Sequence, residues 1–263
     1  MPARSKLSRY VTIARLATRD LWGYGVLYMG TWVTTTVILT VTVMALYVGA
    51  YRVAPQALPL SAAVWSIAIA SFLRLTWRHI TSGISDDVKS GNIALRMRYP
   101  VSYLGYTYAD HMGRSLPTAA PFMALAAYAV GGLPVIPQPV VAVVVFLAMV
   151  VGSFVLSALL YTLMGLLSFW MEDALPALRI VEKMTVVLGG SVVPLALLPT
   201  GARHILEFIP FTATGFPAQF TSPDFLVHAP RLLTIEYGWV AVFTAGVMIV
   251  WRMAARRVEV NGG

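Results

Sequence analysis

Two stretches, residues 21–51 and 140–171, each run for more than thirty positions without a charged side chain. About 20 apolar residues are enough to cross the hydrocarbon of a bilayer. In lipid a backbone must satisfy its own hydrogen bonds, so segments of this kind are expected to be helices. Composition extends the argument to the whole chain. Of its 263 residues 58% are hydrophobic and 11% charged, against about 25% charged in soluble domains, and mean hydropathy is +0.75.

The pattern predicts an all-α membrane protein in one domain with six transmembrane helices, at about 23–50, 53–73, 112–131, 140–170, 177–198 and 233–251. Trp22, Tyr24, Tyr28 and Trp32 at one end of the first span, and Tyr47 and Tyr51 at the other, suit the two aromatic belts of a bilayer. Pro117 and Pro121 are expected to kink the third span or loosen its first turns. GGLPVIPQP, residues 131–139, is the turn before the fourth, and Pro176 marks the start of the fifth. Segment 199–230 mixes Arg203, His204, Glu207, Asp224 and His228 with the broken apolar run FIPFTATGFPAQF, which suits short re-entrant or surface helices.

Ahead of the first span, SKLSRYVTIARLATRDLW places Leu7, Tyr10, Val11, Ala14, Ala17, Thr18 and Leu21 on one helical stripe. Lys6, Arg9, Arg15 and Arg19 fall off it, and Ile13 and Leu16 interrupt the pattern. This predicts a helix lying in the headgroup plane, its arginines toward anionic lipid, and not a cleaved leader.

Six spans put both ends on one side. Of the nineteen Lys and Arg residues, sixteen fall on that side and three, Arg52, Arg203 and Arg231, on the other. The positive-inside rule makes the first side cytoplasmic. The net charge of +8 is thereby assigned to topology and lipid contact, with no nucleic-acid partner expected.

The longest stretch of mixed charge between apolar blocks is 81–103, TSGISDDVKSGNIALRMRYPVSY. Asp86, Asp87, Lys89, Arg96 and Arg98 would each cost about 2.5–3.5 kcal/mol or more in hydrocarbon, so this stretch belongs in water, on the cytoplasmic side. Ser85, Asp86 and Asp87 are expected to cap the start of a short helix, and Gly91-Asn92 to break it. A second cytoplasmic feature is FWMEDALP, whose acids Glu172 and Asp173 face Arg179 and Lys183.

Familiar chemistry is missing. No G-x-x-x-x-G-K-[ST] loop is present to hold ATP phosphates. His79, His111, His204 and His228 have no zinc spacing, and with no cysteine there is neither a disulfide nor a thiolate metal site. Asp86–Asp87 and Glu172–Asp173 are adjacent pairs whose side chains diverge on a helix. Every charge is expected within a turn or two of a span end, Glu236 and Arg114 reaching the interface by snorkelling. On that reading the core holds no buried counter-charge, which disfavours an ion-driven carrier.

In the order of its features the chain resembles the permease subunits of type-2 ABC exporters, in particular small six-span proteins of the viologen-exporter type. SGNIALRMRYPVS, SFWMEDALP with LGGSVVPLALLP, IPFTATGFPAQF and the tail A-x-R-R-x-E-V-N-G-G carry the likeness. The resemblance implies a coupling helix docking on a separate ATPase subunit, at about residues 84–98. Its contacts would be Ile84, Asp86, Asp87, Lys89, Gly91, Asn92, Arg96 and Arg98, with Glu172 and Asp173 as a second contact. It implies two ATPase copies that bind the ATP and Mg, a second permease identical or homologous to this one, and a multi-pass place in the inner (plasma) membrane. The chain itself would then be no enzyme and hold no cofactor, forming a path for a hydrophobic or amphipathic substrate. Two other readings stay open: an integral-membrane enzyme, for which Asp110, His111 and Arg114 are the only candidate cluster, and a structural or regulatory membrane subunit.

Overall fold

A computed structural model describes residues 6–20, 26–53, 58–75, 79–130, 137–171 and 174–261. Glu172, Asp173, Arg78 and the turn at 131–136 lie outside these. Among the described residues there is helix and no strand. Two helical stretches, Val140–Phe169 and Phe225–Arg257, are long and apolar enough to cross a membrane, and Val37–Arg52 and Leu60–Leu73 are shorter apolar helices.

In chain order the helices are α1 (Lys6–Asp20), α2 (Val26–Val53), α3 (Leu60–Leu75), α4 (His79–Lys89), α5 (Asn92–Arg96) and α6 (Tyr103–Val130). Then follow α7 (Val140–Leu166), α8 (Leu175–Leu188), α9 (Thr200–Leu206), α10 (Pro210–Ala213) and α11 (Phe225–Asn261). Short 3-10 turns occupy Leu167–Phe169, Leu195–Leu197 and Phe216–Thr221.

The centre is α7, a helix of 27 residues and so about 40 Å long. Beside it α11 runs parallel. Ser153 meets Glu236 near the middle, and Phe169 meets Arg257 at the far end. At one end of α7, α4 packs in the space left at Gly165, where a side chain would run into Ile84, and Thr81 donates to the Tyr161 carbonyl at 2.7 Å. At the other end, turn 216–221 covers α7 and reaches α3, Thr221 donating to the Ala62 carbonyl at 2.9 Å. Helices α2 and α3 pack as a pair on Val43, Met44, Val64 and Ile67.

Several helix ends differ from the sequence expectation. Helix α6 begins at Tyr103, well ahead of 112, and passes through Pro117 and Pro121 unbroken. Helix α8 stops at Leu188, where Gly190 takes a left-handed φ of 83°. It thus covers 14 residues, about 21 Å, short of a roughly 30 Å core. Helix α11 begins at Phe225, before Pro230. The proline is accommodated in its second turn, with the Thr234 hydroxyl donating to the Pro230 carbonyl at 2.8 Å.

The apolar stripe expected to face lipid from α1 is in part its packing face. Tyr10, Ala14, Ala17 and Thr18 lie against α6, whose Gly105, Ala109 and Gly113 recur at four-residue spacing. A side chain at Gly113 would overlap the Ala14 carbonyl, the small-residue logic of close helix contact. Leu7, Val11 and Leu16 remain exposed.

Candidate functional site

The expected coupling stretch is built from the end of α4, the turn at Gly91, and α5. Asp86 and Asp87 occupy the last turn of α4, not its first. There the helix dipole opposes a negative charge, so Asp87 needs other partners. It is 4% exposed. The Tyr103 hydroxyl donates to its Oδ2 at 2.9 Å and Arg96 Nη1 lies 2.8 Å from the same oxygen. Burial nevertheless holds the Asp87 carboxyl above the ordinary aspartate range, with Tyr103 and Arg96 pulling it back down. Burial, then the Asp87 charge, pushes the Tyr103 phenol up.

Arg96 also lies over the Tyr106 ring, 4.9 Å from its centroid, a cation–π contact. Helix α4 ends because Gly91 adopts φ 71°, open to glycine at no steric cost, and the Gly91 N–H closes on the Val88 carbonyl at 3.2 Å. The chain then turns back so that Ile93 is buried while Leu95 is 58% exposed.

The predicted contact residues therefore divide. Asp86, Lys89, Gly91, Asn92 and Arg98 are exposed. Ile84 is fully buried at Gly165, and Asp87 is buried beneath Arg96, so neither offers a surface. Sequence position alone could not separate the two sets. Leu95 and Tyr99 join the exposed face, although no charge singled them out. Near residues 172–173, Arg257 of α11 donates to the Phe169 carbonyl at 3.2 Å and lies over the Trp170 ring at 5.0 Å.

At the opposite end Glu207, 1% exposed, receives Arg203 Nε at 2.9 Å and Arg231 at 3.2 Å. Arg203 also reaches Gln219 at 2.7 Å. This network ties α9 to α11 and to turn 216–221.

With this helical scaffold in view, comparison with known proteins is informative. The pattern of the family described as ABC-2 family transporter protein matches residues 54–262. The chain belongs to this ABC-2 transporter family. No curated protein matches it. The family is the membrane component of ABC transporters, not itself catalytic, and the long apolar helices agree with a permease.

Asp110, His111 and Arg114, the candidate cluster for enzyme chemistry, are engaged in local contacts. Asp110 and Arg114 pair with each other at 2.9 Å, while His111 is buried beside Ser115 and Phe154. The larger correction is Glu236. The expectation was a snorkelling residue near a span end. It is instead fully buried, eleven residues or about 17 Å inside α11, and accepts from Ser153 Oγ at 2.6 Å. Gly152 makes the room, since a side chain there would meet the Glu236 carboxyl.

Proposed function

We propose that this permease is half of the membrane domain of an ATP-driven exporter. It pairs with a second permease, identical or homologous, above two separate ATPase subunits that bind ATP and Mg. The six spans, the cytoplasmic ends, the plasma-membrane location and the export direction are part of this reading, as is a viologen-exporter-like multidrug efflux role for an amphipathic substrate. The coupling surface is the exposed face of the end of α4, α5 and the turn after it, formed by Asp86, Lys89, Asn92, Leu95 and Arg98. The region of residues 172–173 is the second contact.

The observation that carries this reading is the bracing behind that face. Asp87 is held by Arg96 and Tyr103, and Tyr103 stacks on Trp251 of α11. A push on α5 is thereby passed to two membrane helices without a loose joint. Rigid elements of this kind are what alternating access needs.

Copurification with an ATPase encoded nearby, and the permease-stimulated rate of ATP hydrolysis, test the proposal. Arg98→Glu with Leu95→Ala should lower both while leaving thermal stability unchanged. If association and stimulation survive that double substitution, α5 and the turn after it are not the docking surface. Topology has its own test in a chain without cysteine. Ser90→Cys should be labelled only after the membrane is opened, and labelling in intact cells would reverse the orientation.

A further inference from the structure

Three acids are buried among the described residues: Asp87, Glu207 and Glu236. Asp87 and Glu207 each meet an arginine. Glu236 meets a serine, its Oε1 lying 2.6 Å from Ser153 Oγ, and it has no part in the coupling face.

The neighbouring elements supply Glu236 with no base. Helices α7 and α10 and turn 216–221, which pack on α11, carry no charged residue. Within two turns on α11 the titratable groups are Arg231 and Tyr237. Arg231 is engaged by Glu207 at 3.2 Å, and the Tyr237 hydroxyl donates to the Ala148 carbonyl at 2.9 Å. Tyr161 of α7 stands two turns beyond Ser153, and Lys183 of α8 is exposed. A bare carboxylate in such a core costs far more than one hydroxyl bond returns, whereas a neutral acid is a hydrogen-bonding group like any other. The second carboxyl oxygen agrees. No donor among the described residues reaches Oε2, a smaller loss for the carbonyl oxygen of an acid than for half of a negative charge.

The Ser153 hydroxyl couples that proton to structure. It has one hydrogen to give and two acceptors in reach, Glu236 Oε1 at 2.6 Å and the Ala213 carbonyl at 3.5 Å. Facing a carboxylate, it gives the hydrogen to Glu236. Facing the neutral acid, it accepts from Glu236 and turns its own hydrogen to Ala213, so both contacts are filled. Ser153 belongs to α7, Glu236 to α11 and Ala213 to α10, so the direction of these bonds decides whether two elements are joined or three.

We propose that Glu236 and Ser153 form a proton-binding site in the membrane core, and that the bound proton clasps α10 to the α7–α11 pair. With the proton in place, Glu236 donates to Ser153 and Ser153 to the Ala213 carbonyl. Loss of the proton takes Ser153 from Ala213 and leaves a charge that must be hydrated, which parts α10 from the pair.

The purified full-length chain tests this without any ATPase, so the outcome is independent of the coupling reading. Infrared spectra at neutral pH should show a carboxylic-acid C=O band that Glu236→Gln removes and Ser153→Ala displaces. Thr212, fully buried next to Ala213, reports the clasp in a chain without cysteine. The Gln amide can donate to Ser153 and has no proton to lose, so Glu236→Gln holds the clasp at every pH. Maleimide labelling of Thr212→Cys should therefore accelerate with rising pH in the parent relative to the Glu236→Gln background, by up to about tenfold per unit. An acid band untouched by either substitution overturns the proposal, and so does the same pH dependence of labelling in the two backgrounds. Should Glu236→Gln not fold, Ser153→Ala decides: a displaced acid band supports the site, and an unchanged spectrum overturns it.

Discussion

The ring of Tyr103 lies flat on that of Trp251, centroids 5.1 Å apart and planes within 10° of parallel. The same Tyr103 donates its hydroxyl to Asp87. One aromatic residue therefore joins the start of α6, the end of α4 and the last third of α11. Trp251→Ala should cost about 2 kcal/mol of stability. It should also lower permease-stimulated ATP hydrolysis while ATPase binding persists. Thermal unfolding, pull-down and hydrolysis rates measured on one preparation separate the two effects.

Asp87 makes a pH prediction. Burial raises its carboxyl above the ordinary value, so the folded state holds this proton more tightly than the unfolded chain does. The resulting contribution to stability is complete below about pH 4, the ordinary aspartate value. It is lost as pH rises toward the raised value. The stability of the parent relative to Asp87→Asn should therefore fall with rising pH across that window, as read from unfolding midpoints of both proteins.

Glu207 is a buried acid between two arginines. Glu207→Gln leaves Arg203 without its ion pair, and breaking a buried pair costs about 3 kcal/mol or more. The unfolding midpoint should drop by roughly 10 °C. Arg231→Gln, whose side chain is 38% exposed, should cost no more than about 1 kcal/mol.

Gly113→Leu should lift α1 off α6, because a side chain there overlaps the Ala14 carbonyl. Ala14→Cys should be protected from maleimide in the parent and labelled in the Gly113→Leu background. Thr18→Val, which removes the 2.7 Å bond to the Gly113 carbonyl, should cost about 1 kcal/mol without exposing position 14.

What could be read from the sequence was whatever charge and hydropathy decide locally. The apolar run at 140–171 is α7 with its 3-10 turn, and Gly91-Asn92 does end one helix and begin another. What escaped depends on partners distant in the chain. Asp87 looks like Asp86 until Arg96 and Tyr103 cover it. Pro230 read as a boundary, which placed Glu236 at a span end. Had the helix been continued through that proline, the acid would have stood three turns deep, where an ionisable residue calls for a role. The stripe on α1 was visible, but a lipid face and a face for Gly105 and Gly113 have the same periodicity.

The contacts seating α1 carry a consequence for biogenesis. Arg9 to Pro100, Tyr10 to Ser102 and Thr18 to Gly113 are separated by 91, 92 and 95 residues. At roughly 5–20 residues per second of synthesis, the groove that receives α1 emerges some 5–20 s after the helix itself. Over that interval Tyr10, Ala14 and Thr18 have no protein partner on α6, and the bilayer surface is the nearest apolar shelter for their stripe. A helix patterned to rest on lipid can wait there, and the same pattern then transfers to glycine.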